Sequence, residues 1–365
     1  MLQKPKTWRV VSDQITADEA VAHAQAGEGL IWTGDFQNAR QLLTAMSKRL
    51  NSPKQLAQLA KKPILERFHV HRLHQSQRLN ILSKLLIPIE THPDYAIPLK
   101  RAPDVAAALS HAWGTAAERA YLLSLRELLG LMGAYEWFKK GLEFDERYFA
   151  KAPLNKIHPH YGVFSPLRGE YLSLVHQAPL AGNVSSSVAF DIGAGTGILS
   201  AMLIERGWGS VIATDAQERA VACATDNLSR LGLLDRVRVV QCDLFPPGKA
   251  HLIVCNPPWL PGKARSSIES AVYDEDSQML KGFLRGLKDH LEPGGEGWLI
   301  MSDLAERLGL RAPGALEEWI SNAGLETIEI HHTQPQHGKA QDTEDPFYEA
   351  RSQEVTSLWR LKAKM

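Results

Sequence analysis

Cysteine is scarce in this chain, long apolar runs are missing, and no charge of one sign prevails. Three cysteines in 365 residues (Cys223, Cys242 and Cys255) are too few and too odd in number for a disulfide framework, which points to a reducing compartment. No run approaches the roughly 18 apolar residues of a membrane-spanning helix. The opening MLQKPKTWRVV is charged and has no apolar core before a small-residue cleavage site, so no secretory signal is expected. The expectation is a soluble, cytoplasmic protein with no membrane partner. With 44% hydrophobic and 22% charged residues, collagen, coiled coil and wholesale disorder are excluded.

The length predicts two domains, and the cancelled charge divides unevenly between them. Residues 1–165 hold 22 Lys and Arg against 15 Asp and Glu, a net +7, while the remainder holds 19 against 26, a net −7. Between Lys48 and Arg101 lie 11 basic residues and only Glu66, Glu90 and Asp94 as acids, with His69, His71, His74 and His92 among them. Such asymmetry fits a nucleic-acid or otherwise acidic partner, and a well-solvated helical face would have the same composition. The three close histidines have no cysteine nearby and sit in positive surroundings, so no metal site is expected.

From Gln14 to about Tyr148 the texture is mostly helical. In Ala116–Phe138 the apolar residues recur at three- and four-residue spacing, which predicts a helix with one buried face. Pro88, Pro93, Pro98 and Pro103 break any continuous helix between. His158 and His160 flank Pro159 in an expected linker. Beyond about Val184, short β-rich runs alternate with helical ones, the pattern of a parallel sheet wrapped by helices. Seven strands are predicted at Val188–Ile192, Ser210–Thr214, Val237–Cys242, His251–Cys255, Gly297–Met301, Glu326–His331 and Val355–Leu361. Helices are predicted at Ile198–Arg206, Gln217–Leu231, Ser277–His290 and Ala315–Ala323. Gln334–Gln353 reads as a loop, Cys242 and Cys255 as buried small hydrophobes, and Tyr273 and Asp274 as caps of the helix that follows them.

The run VAFDIGAGTGILSAML carries an apolar strand into Asp191, then Gly193, Gly195 and Gly197, then a helix. Glycines there permit a sharp turn and close approach of a ligand to the backbone. The spacing GxGxG behind an aspartate differs from the dinucleotide fingerprint GxGxxG, which argues against NAD. Asp215 ends the next strand, 20 residues after Gly195, where a carboxylate can accept from ribose hydroxyls. Asp243 ends the third. Each alone could equally be a helix cap or a solvated loop residue. Three in succession put acceptors along the ligand-binding edge of an open α/β sheet.

This pattern resembles the class I S-adenosylmethionine-dependent methyltransferases from about Gly162 to the C-terminus. The resemblance implies a doubly wound, Rossmann-like α/β sheet of seven strands in the order 3-2-1-4-5-7-6, with the last strand antiparallel. It further implies S-adenosylmethionine as cofactor, with Gly193 and Gly195 facing the methionine part, Asp215 on the ribose and Asp243 on the adenine amino group, and Asp191, Gly197 and Leu244 are expected among the cofactor-binding residues as well. The expected domains are a mostly helical, basic substrate-recognition domain at 1–155 and a methyltransferase domain at 156–365.

The fourth strand runs into Asn256, Pro257, Pro258 and Trp259. Two prolines cannot continue a ladder, so the chain leaves the sheet there in a stiff turn. The Asn256 side-chain oxygen and the Pro257 carbonyl are then available to accept from one NH2 group, and Trp259 offers a flat face to a planar substrate. This resembles the (N/D)PP(W/Y/F) motif, which implies methylation of a planar nitrogen: a base amino group or the glutamine amide. Upstream, His160–Val175 resembles the segment leading into the methyltransferase domain of the release-factor glutamine methyltransferases and related ribosomal RNA guanine methyltransferases, which implies that Phe164, Ser165 and Pro166 border the substrate pocket, where Pro258 is also expected. Where the glutamine enzymes have a Pro-Arg-Pro-Glu-Thr-Glu run, this chain reads Ser-Pro-Leu-Arg-Gly-Glu. The expected acceptor is a base amino group of RNA, with a ribosomal component as partner. A protein glutamine, or a non-catalytic cofactor-binding module, are the alternatives.

Overall fold

The computed structural model describes every residue except 1–3, 52, 117–118, 150–154, 167–168, 181–183, 265–268, 336–339 and 365, and only the backbone of 53–56. Leu167 and Arg168 of the pocket segment therefore lie outside the described residues. The chain divides into two compact units, Met1–Lys139 and Lys140–Met365.

The first unit contains a sheet beside its helices. Strands β1 (Thr7–Val11), β2 (Glu28–Trp32), β3 (Leu85–Ile89) and β4 (Tyr121–Ser124) lie in that order. The first three run parallel and β4 antiparallel. The segment expected as one helix from Ala116 to Phe138 opens instead with β4, and its helix begins at Leu125. Pro88 is tolerated within β3 because β2 pairs only with Leu85 and Leu86, so the ladder needs no donor from it. The helix Ala17–Ala26 starts on a reciprocal capping box between Thr16 and Glu19. The three close histidines ride on the helix Ile64–Leu82, and no group of potential metal ligands occurs among the described residues.

The second unit is built on β5 (Val188–Ile192), β6 (Ser210–Asp215), β7 (Val237–Gln241), β8 (Ala250–Cys255), β9 (Leu291–Ser302), β10 (Leu325–Thr333) and β11 (Thr356–Ala363). Their order is β10-β11-β9-β8-β5-β6-β7. Five strands are parallel and β11 is antiparallel to both of its neighbours. The predicted seven strands and the implied order are both present. Alternation of side chains builds two cores, as a sheet covered on both faces requires. Ala189, Leu252, Val254, Trp298 and Ile300 pack on one face with the helices Glu170–Gln177 and Ile198–Glu205. Phe190, Ile253, Cys255, Leu299 and Met301 pack on the other with Gln278–His290 and Ala315–Asn322. The stretch expected as a loop from Gln334 to Gln353 includes a short helix, Tyr348–Ser352.

Candidate active site

Strand order fixes where chemistry can gather. The turns after β5, β6, β7 and β8 all leave the same edge of the sheet, and a cavity of about 520 Å³ opens there. Gly193 and Gly195, Asp215, Asp243 with Leu244, and the corner Asn256–Trp259 all line it, as does Phe164. Asp191, Gly197 and Ser165 are not among its lining residues. Tyr171, Met279, Leu304 and Arg351 are, although no motif singled them out.

The glycine turn is held by hydrogen bonds. The amides of Gly193 and Ala194 both donate to the Thr214 carbonyl at 2.9 Å, and the Gly195 amide donates to Asp215 Oδ2 at 3.1 Å. Gly195 has φ +55°, and a Cβ built on it would meet nothing within 4 Å, so its bare face is left for a ligand. Gly197, with φ +81°, serves packing instead: a Cβ there would lie 3.3 Å from the Leu228 side chain. Asp191 sits beneath the turn at 0% exposure. Its Oδ2 accepts from Ser200 Oγ at 2.6 Å, and Oδ1 has no hydrogen-bond partner among the described residues. Burial pushes the Asp191 carboxyl up to about 6.

Asp215 ends β6. Its Oδ1 accepts from the Gln217 amide at 2.9 Å, and burial raises its pKa against the opposing effect of the Gln217 and Gly195 amides. Asp243 is exposed. Leu244 follows in the left-handed region at φ +62°, a conformation that costs a non-glycine residue about 1 to 2 kcal/mol. Thr214 Oγ1 offsets some of that by donating to the Leu244 carbonyl at 2.6 Å. Cys242, expected in the core, is half-buried and lines the cavity, because β7 ends one residue earlier than predicted. Cys255 is buried as expected.

The prolyl corner is braced from inside. Trp259 Nε1 donates to Asn256 Oδ1 at 3.0 Å. An indole N–H can only donate, so this contact decides which way the Asn256 amide turns and leaves the oxygen's second lone pair free for another donor. Trp259 is half-buried and packs against both cores. Its carbonyl accepts from Arg311 Nη2 at 3.2 Å, while Arg311 Nη1 meets Glu306 at 3.2 Å. The Asp274 carboxylate accepts from the Met279 and Leu280 amides at 3.1 and 3.2 Å and so caps the helix behind the site, while Tyr273 lines the cavity. The expected linker is likewise anchored: the His158 amide donates to Asn227 Oδ1 at 2.7 Å and His160 Nε2 lies 3.2 Å from Asp226.

These residues fit S-adenosylmethionine. Gly195 offers a side-chain-free surface, and Asp215 and Asp243 offer acceptors on the β6 and β7 side.

Comparison with known proteins agrees. Residues 155–323 match the family described as Methyltransferase small domain. The chain is 31% identical over 143 residues to the Ribosomal RNA small subunit methyltransferase C of Alcanivorax borkumensis, covering 38% of this chain and 40% of that protein. It is 31% identical over 130 residues to the tRNA1(Val) (adenine(37)-N6)-methyltransferase of Bacteroides thetaiotaomicron, covering 32% and 53%. With the Release factor glutamine methyltransferase of Cereibacter sphaeroides it shares 26% identity over 158 residues, covering 40% and 54%. The chain thus spans about half the length of the curated relatives it matches. No helix among the described residues is long and apolar enough to cross a membrane. Over residues 155–323 the second unit is similar to methyltransferase domains of the small type, and its seven strands stand in the order that the resemblance to the class I S-adenosylmethionine-dependent methyltransferases implies.

Proposed function

We propose that this protein transfers a methyl group from S-adenosylmethionine to the exocyclic amino group of a base in RNA, ribosomal RNA being the favoured class, in the cytoplasm. The observation that carries this reading is the corner Asn256–Trp259 on the same cavity as the glycine turn. The cofactor would supply an electrophilic methyl group on a sulfonium.

The chain's own residues do the rest by position. A planar amino nitrogen is a poor nucleophile because its lone pair is delocalised. Asn256 Oδ1 and the Pro257 carbonyl, each accepting one of its hydrogens, favour the pyramidal form whose lone pair is free to attack. Catalysis of this kind rests on orientation and on fixed dipoles. Trp259 serves by fixing the Asn256 amide as well as by presenting its ring. Trp259→Phe keeps an aromatic face, though a smaller one, and removes the N–H. It is expected to lower kcat about three- to tenfold, the worth of one hydrogen bond. In an Asn256→Asp background the same change should cost little more, since either carboxylate oxygen accepts. Single-turnover rates of the four proteins check this.

RNA is favoured over a protein glutamine by the net +7 of residues 1–165 and by the departure from the glutamine enzymes' run before Glu170. An extract from a strain lacking the gene, incubated with the protein and labelled cofactor, tests the class. Label should enter a nuclease-sensitive fraction, and transfer should weaken by orders of magnitude between about 50 and 200 mM salt. Label in a protease-sensitive fraction would replace RNA with a protein substrate.

A further inference from the structure

The cavity has two carboxylates and one arginine in its lining, and strand order puts them on opposite sides of β5. Asp215 and Asp243 follow β6 and β7; Asn256 follows β8; Leu304 and Arg351 belong to segments adjoining β9 and β11, beyond the prolyl corner. Arg351 is the one cation among the described lining residues. It comes from the short helix between β10 and β11, on the flank away from the ribose and adenine positions.

This arginine is held in place. Its side chain is 17% exposed and its Nε stands 3.2 Å from Asp345 Oδ2, itself on a side chain 8% exposed. Asp345 is fixed in turn, its Oδ1 accepting from the Phe347 amide at 2.7 Å. Guanidinium carries five N–H donors, and neither Nη group is hydrogen-bonded to a described residue. Unlike Nε, which is buried, the two Nη groups are not shut away inside the protein, so their donors are open to a ligand in the cavity that Arg351 lines. The cavity is where they can be met, and a planar fork of N–H groups matches two oxygens of a phosphate.

We infer that Arg351 forms a phosphate subsite for the acceptor strand, gripping a phosphodiester beside the nucleotide whose base reaches Asn256. The inference rests on the RNA reading and sharpens it. Every base in RNA brings a phosphate along, whereas a glutamine amide has no anion fixed to it.

Arg351→Gln and Arg351→Lys, assayed on RNA from the deletion strain with labelled cofactor, test it. Arg351→Gln should raise KM for RNA about tenfold or more and leave kcat within a few-fold. One phosphate contact fewer should flatten the dependence of log affinity on log salt by about 0.7 to 0.9. Calorimetry should find S-adenosylhomocysteine binding unchanged. Arg351→Lys keeps the charge, so its salt slope should match the wild type and its KM should be intermediate; it also serves as the folding control. An unchanged salt slope in Arg351→Gln overturns the inference. Weakened cofactor binding at an unchanged melting temperature also overturns it, assigning the arginine to the methionine carboxylate. Label found only in protein from the wild-type reaction defeats the RNA reading itself, and the subsite with it.

Discussion

Asn256→Ala is expected to lower methyl transfer at least about a thousandfold while the protein still binds S-adenosylmethionine. Removing one preorganised polar group from a reacting centre commonly costs a hundred- to a thousandfold. Here the lost oxygen is one of only two acceptors offered to the amino group, so the upper end applies. Cofactor affinity should survive because the carboxylates of Asp215 and Asp243 stand on the other side of β5. The variant also leaves the Trp259 indole N–H without its partner, which costs about 1 to 3 kcal/mol of stability when the group is shielded from water. Asn256→Asp restores that acceptor and should recover the melting temperature. Single-turnover transfer and calorimetry with S-adenosylhomocysteine read the two effects separately. Full turnover by Asn256→Ala would end the proposed mechanism.

Asp191→Asn is expected to remove a pH dependence of stability worth about 2 to 3 kcal/mol. Burial raises the Asp191 carboxyl from 3.8 to about 6, and a raised acid binds its proton more tightly folded than unfolded. Its stabilising contribution is therefore complete below about pH 4, is lost as pH rises towards 6, and stays lost above. Each tenfold gain in proton affinity is worth about 1.4 kcal/mol, so the whole rise corresponds to about 3 kcal/mol. Asparagine does not titrate, so the stability of the native protein relative to the variant should fall by that amount between about pH 4 and pH 7. Denaturant melts at several pH values measure it, and comparing variants cancels the other carboxylates. A constant difference across that range would mean that Asp191 is already ionised without cost. Keeping an expensive anion here fits a site shaped for a ligand, and the same variant should bind cofactor more weakly.

The second unit was legible because its strands are apolar runs closed by glycine, aspartate or proline. The periods of β5, β6 and β8 place their ends within a residue of those observed. The first unit was less legible for a physical reason. Glu28–Trp32 is a five-residue run directly behind a helix, and Leu85–Ile89 is a continuous apolar stretch containing a proline. Runs so short do not distinguish a buried strand from a helix turn by periodicity. In Ala116–Phe138 the helical spacing of Leu125–Lys140 extends backwards across Tyr121–Ser124, which β3 recruits as an antiparallel partner. Within the site, the spacing of Asp191, Asp215 and Asp243 marked the ligand edge but did not reveal that Asp191 lies under the glycine turn. Arg351 carried no local signal, since its place depends on how the polar stretch between β10 and β11 folds back. The Trp259–Asn256 bond was likewise hidden, because an aromatic ring following two prolines shows only its face in a sequence.

Thr214 is a small residue with unusual reach. Buried completely near the end of β6, it takes the Gly193 and Ala194 amides on its carbonyl and gives its hydroxyl to the turn after β7. The turns after β5 and β7 are thereby keyed to one residue, through its carbonyl on one side and its hydroxyl on the other. A molecule spanning them would meet a single stiff socket, so its halves, offered separately, should each forfeit much of the grip that the intact molecule enjoys.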